Sequence, residues 1–144
     1  MKYLIILKLS LITLVITLIS SAQETMHVGN WTGSDNQGKP VSIILDNKSF
    51  VTFVENGNSV GGESFDVKGQ DCRYKYEINY LKNPIEIDFV VSDNKSNVEK
   101  YRIKSIIRFI DNNTIEIKNP KKSDRPKKFG NKSKGDVMRF KRII

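Results

Sequence analysis

The chain of 144 residues has one cysteine, one histidine and one tryptophan, and each scarcity excludes something. With Cys72 alone, no disulfide can form within the chain, so the fold must rest on its own core. A lone cysteine at the start of a β-rich run reads as a small buried hydrophobe. His27 and Cys72 are far apart in sequence and cannot supply the several ligands a metal site needs. No metal and no cofactor are therefore expected. A histidine-activated nucleophile would need His27 held firmly beside its partner, and a position near the chain start argues against that. No catalytic residue is assigned, and an enzyme is not expected. Gly61-Gly62 lacks the strand, Gly-rich loop and helix context of a phosphate cradle, and reads as a bulge in a strand. Beyond Ala22, no segment sustains the i, i+3, i+4 apolar spacing of an amphipathic helix.

One apolar run stands apart from the rest. "MKYLIILKLSLITLVITLISSA" has a basic start, an uncharged apolar stretch from Leu9 to Ile19, and a close of small residues at Ser20-Ser21-Ala22. That is the three-part shape of a secretory signal peptide. Residues 1–22 are expected to be removed by cleavage near Ala22, leaving 23–144 as one exported domain, periplasmic or extracellular. The stretch is shorter than the roughly 20 apolar residues a membrane-spanning helix requires. No transmembrane span is expected in the mature protein, which is read as a monomer.

What fills the remainder is alternation. In "CRYKYEINYL", Tyr74, Tyr76, Ile78 and Tyr80 share one face, opposite Arg73, Lys75, Glu77 and Asn79. In "PIEIDFVV", Ile85, Ile87, Phe89 and Val91 oppose Glu86 and Asp88. "VEKYRIKSIIRFI" places Tyr101, Ile103, Ile107 and Phe109 opposite Arg102, Lys104 and Arg108. Period two in aromatic and β-branched residues means strands with one buried face. Asn56-Gly57, Asn83-Pro84, Asp93-Asn94-Lys95 and Asp111-Asn112-Asn113 mark the turns between them. The strands predicted are 41–46, 49–55, 58–66, 72–81, 85–92, 98–110, 114–118 and 136–142. Consecutive strands with short connections imply an all-β, antiparallel, up-and-down meander of about eight strands. Such a sheet closes into a barrel to remove its open edges.

Several of these residues resemble a known group. "GNWTG" (Gly29 to Gly33) is similar to the Gly-x-Trp opening of lipocalin-type barrels, in which the tryptophan closes one end. "DNNTIEI" leading through "RPKKF" to a last strand "VMRFKR" resembles small exported bacterial lipocalin-like (calycin-type) domains without established activity. The resemblance covers most of 23–144 and implies a lipocalin-like barrel that holds a small ligand without bonding to it covalently. The chain has neither the C-terminal helix nor the disulfide pair of typical lipocalins.

Two candidate sites follow. Tyr74, Tyr76, Phe89 and Tyr101 face inward on neighbouring strands and are the expected ligand-binding set, for a small, partly apolar molecule. A barrel of this size can be filled by side chains or keep one small ligand, and a filled or shallow interior is the expectation. The second site is electrostatic. Residues 118–142 carry eleven Lys or Arg against two acids, whereas residues 23–117 carry eleven against fourteen. The basic charge is thus local to the loop 118–135 and the strand after it. There "KKSDRPKKF" reads as a structural anchor, Arg125-Pro126 with Phe129, surrounded by lysines. Lys121, Lys122, Lys127 and Lys128 are the candidate contacts to anionic lipid, polysaccharide or a protein of the envelope or surface. Nucleic acid is not expected, because Phe129 is the loop's only aromatic and base stacking needs more. Glu86 and Asp88, paired on one face, are read as a solvated outer surface rather than an acid–base couple.

Overall fold

The computed structural model describes residues 25–35, 38–130 and 137–144. The expected leader at 1–22, and the part of the basic loop at 131–136, lie outside them. Nine strands follow in order: β1 (Gly29–Ser34), β2 (Pro40–Leu45), β3 (Val51–Glu55), β4 (Asn58–Val67), β5 (Gln70–Asn79), β6 (Ile85–Asp93), β7 (Glu99–Asp111), β8 (Thr114–Lys118) and β9 (Val137–Arg142). Each pairs antiparallel with its neighbour in the chain, and β9 returns to β1 to close the barrel. The added strand, relative to alternation alone, is β1. Its sequence GNWTGS carries little β propensity. It is a strand because it hydrogen-bonds to β2 on one side and β9 on the other, and both would otherwise be open edges.

Local chemistry sets the bends. Asn56 and Gly57 both take positive φ, 51° and 79°, and make the tight turn between β3 and β4. Gly61 has φ 122°, and a Cβ there would strike the Val51 carbonyl oxygen. This position bends β4, which pairs with β3 up to Gly61 and with β5 from Gly62 onward. The bend lets β5 reach past β4 to the turn that leads into β3, where the Tyr76 amide donates to the Ser49 carbonyl at 2.9 Å.

Inward residues fill most of the interior. Trp31, Leu45, Val51, Ile87, Ile107 and Ile115 form its closed half, with Ile43, Phe89, Ile117 and Phe140 above them, all essentially without exposure. Cys72 is a free thiol within this core, which agrees with the sequence reading.

The outer face departs from that reading. Val90, Ile106 and Glu116 point outward yet are buried. A strap from Asn119 to Gly130 lies against this wall and is held at several points. Arg125 Nη1 donates to the Ser105 carbonyl at 2.7 Å, and its Nη2 pairs with Asp88 Oδ1 at 2.7 Å. Phe129 is buried under the Arg108 guanidinium, 4.3 Å from its ring centre. Lys118 Nζ donates to the Lys128 and Phe129 carbonyls at 3.1 and 3.0 Å. Glu86 and Asp88 therefore do not sit on a solvated face. Arg125 bridges them, and Arg102 binds Asp88 from the other side at 2.8 Å. The sequence period shows which way a strand residue points; it cannot show that a later loop will cover it.

Candidate binding cavity

The two ends of the barrel differ. At one, Trp31 is fully buried and Arg142 lies over its ring at 4.1 Å from the centre. The same guanidinium donates to the carbonyls of Met26 and Val28, each at 2.7 Å, and of Asn112 at 3.2 Å. Gly29 has φ 148°, a conformation that strains other residues, and a Cβ there would push the Arg142 guanidinium off the ring. The Gly-x-Trp opening and the last basic residue of the chain are thus parts of one plug.

Beside the plug, Tyr76 Oη donates to the Asp46 carbonyl at 2.5 Å, which uses its only proton. It must then accept from His27 Nε2, at 2.9 Å. His27 Nδ1 is left as an acceptor for the Tyr80 hydroxyl, at 2.6 Å. Burial holds the His27 pKa below its ordinary value, consistent with a neutral ring carrying its proton on Nε2. The Trp31 indole N–H donates to the His27 carbonyl at 2.9 Å, so the network also fixes the plug.

Toward the other end the side chains do not meet, and a cavity of about 210 Å³ opens between Ile43, Phe53, Tyr74, Phe89, Ile103, Ile117, Asn119, Met138 and Phe140. Its wall is built by the aromatic contacts Phe53–Tyr74 and Phe53–Phe89, with ring centres 5.4 and 5.5 Å apart. Phe65 stacks behind Tyr74 at 6.0 Å. Desolvation pushes the Tyr74 phenol up to about 12, so it is a protonated hydrogen-bonding group at neutral pH. Asn119 Oδ1 accepts from Ser105 Oγ at 2.8 Å, which orients its amide.

Of the four residues read from the sequence as a ligand set, Tyr74 and Phe89 line this cavity. Tyr76 belongs to the closed end, with its hydroxyl committed to Asp46 and His27. Tyr101 is 59% exposed and borders a groove on the outer wall with Arg102, Lys104, Pro120 and Lys122. Alternation placed all four on one face, but the stagger of the strands distributes that face along the barrel. Met138 and Asn119 were missed. Asn119 is a polar residue just past the end of β8, and Met138 is one apolar residue in a short basic strand. Lys121, Lys122, Lys127 and Lys128 are all exposed on the strap.

Among the described residues, no group of His, Cys, Asp or Glu is placed to hold a metal, and no helix is long and apolar enough to cross a membrane. Comparison with protein-family models, with curated proteins and with solved structures finds no match. The functional reading therefore rests on the geometry above.

Proposed function

We propose that this protein is an exported lipocalin-like barrel that binds a small, partly apolar molecule non-covalently, and is not an enzyme. The observation that carries the reading is the apolar cavity of about 210 Å³ in a barrel plugged at its opposite end. A fold built for rigidity alone would gain by filling it. Tyr74 and Phe89 form its wall, and the rigid plug at Trp31 leaves the cavity end as the route of entry.

Two measurements test this. Mass spectrometry of the protein from its native source should find a retained small molecule released on denaturation. Amide spectra titrated with single-ring and short-chain compounds should shift at Ile103, Ile117 and Met138 and nowhere near Trp31. If millimolar concentrations of such a panel leave those residues unmoved, and Met138→Trp changes nothing in retention, the reading fails.

A second reading has its own observation. The strap is pinned through Arg125, Phe129 and Lys118, yet Lys122, Lys127 and Lys128 project from it into solvent. Held in that way, they suit contact with an anionic envelope surface at little cost in ordering. Binding to anionic vesicles or acidic polysaccharide should fall as salt rises and fall again when these lysines become alanine. Affinity indifferent to both changes would eliminate it.

A further inference from the structure

The cavity is not uniformly apolar, and its polar atoms bear on what it holds. Two lining residues, Tyr74 and Asn119, carry hydrogen-bonding atoms that the barrel does not use. The Asn119 carbonyl oxygen is taken by Ser105, but its amide nitrogen has no partner among the described residues. The Tyr74 hydroxyl likewise makes no hydrogen bond there. The Asn119 amide nitrogen can only donate, so a ligand group that meets it must accept, and the Tyr74 hydroxyl can donate to an acceptor as well. A purely hydrocarbon ligand would leave both donors unpaired in a desolvated site, which is costly.

Charge limits the ligand further. None of the nine residues lining the cavity is ionisable to a cation near neutral pH. A carboxylate or phosphate would be buried without a counter-charge, a larger cost than an unpaired dipole. The acceptor is therefore neutral, and a carbonyl oxygen, with two lone pairs, can take the Asn119 N–H or the Tyr74 O–H. Size sets the rest. An apolar cavity of about 150 Å3 takes benzene, while drug-sized ligands need roughly 300 Å3 or more. The 210 Å³ here holds one ring, or a chain of similar bulk, plus a short polar tail.

We infer that the ligand class is a small uncharged carbonyl compound, a single-ring or short-chain ketone, amide or lactone, with its oxygen on Asn119 Nδ2 or Tyr74 Oη. This rests on the cavity being a ligand site at all. The test separates the two claims by using three probes of nearly equal shape: acetophenone, ethylbenzene and benzoate, each titrated by calorimetry and amide chemical shifts. Acetophenone should bind about tenfold tighter than ethylbenzene, the worth of one hydrogen bond in a dry site. Benzoate should bind more weakly than acetophenone by at least the same factor. Asn119→Leu removes the donor at nearly constant volume and adds no charge, and Tyr74→Phe removes only the hydroxyl. The variant that lacks the donor in use should bring acetophenone down to the ethylbenzene level while ethylbenzene itself is unchanged, with Trp31 emission confirming that the variants are folded. Ethylbenzene binding as tightly as acetophenone, benzoate binding best, or both variants retaining the preference would overturn the carbonyl assignment and leave the ligand site standing. Failure of all three probes to shift any lining residue would overturn both.

Discussion

Arg142→Ala is the sharpest test of how the barrel is closed. The substitution removes a cation 4.1 Å from the centre of the Trp31 ring and three hydrogen bonds to backbone carbonyls. A cation–π contact is worth about 0.5–2 kcal/mol, depending on desolvation. Charge-assisted hydrogen bonds from a half-buried guanidinium contribute roughly 0.5–1 kcal/mol each once competition from water is allowed for. The total expected loss is about 2–5 kcal/mol, a large share of the roughly 5–15 kcal/mol a domain of this size has. Arg142→Lys retains the charge over the ring but can satisfy fewer carbonyls, so it should lose about half as much. Urea unfolding measures both losses. The chain's single tryptophan, fully buried, reports the plug directly, and its emission should shift to the red in the alanine variant before global unfolding. An alanine variant within about 0.5 kcal/mol of the parent, the usual range for neutral surface changes, with unshifted emission would refute the reasoning. So would a lysine variant as damaged as alanine.

Glu116→Gln tests the strap wall, where a buried carboxylate sits between Arg108 and Arg139 at 2.5 Å from each guanidinium. Because both arginines are partly exposed, the expected loss is about 1–2 kcal/mol rather than that of a fully buried pair. Burial raises the Glu116 pKa, but the hydrogen bonds and charges of Arg139 and Arg108 outweigh it and leave the group below its ordinary 4.5. A carboxylate with a depressed folded value stabilises above its unfolded pKa, so the gap in urea midpoint between parent and variant should close as pH falls below about 4.5. A gap unchanged with pH would contradict this. His27 has the same sign for a different reason: held neutral by burial, it binds fewer protons folded than unfolded just below pH 6.5. Stability should decline as pH falls through that window, and His27→Gln should remove this slope. Finally, Phe129→Ala combined with Arg125→Ala should release the strap, with faster amide exchange at Ile106 and at residues 119–130 while the barrel unfolds at nearly its original urea concentration. Equal loss of protection at Ile43 and Phe89 would mean that strap and barrel unfold as one unit.

Much of this architecture is legible in the chain before it folds. Alternation at Tyr74–Tyr80, Ile85–Val91 and Ile103–Phe109, with Asn-Gly at 56–57 and the Asp/Asn clusters, marks strands and turns that the barrel then uses. The anchor role of Arg125-Pro126 and Phe129 is also readable, since a proline-stiffened turn and a lone aromatic in a charged loop need something to hold. Half of the expected ligand set, Tyr74 and Phe89, lines the cavity, and both come from the same period. Tyr76 and Tyr101 share that period but not the cavity, because the tilt of strands in a closed barrel turns one sheet face into successive levels.

What the sequence by itself determined is local: where strands start and stop, which face of each is apolar, and that the basic charge belongs to one segment near the C-terminus. Only the tertiary structure decided that GNWTGS is a strand, that Arg142 lies over Trp31, and that Arg125 covers Glu86 and Asp88. The same holds for Asn119, which joins Tyr74 across a cavity too small for a large ligand. Each of these depends on contacts between residues far apart in the chain, and a period in the sequence carries no information about which distant surface will meet it.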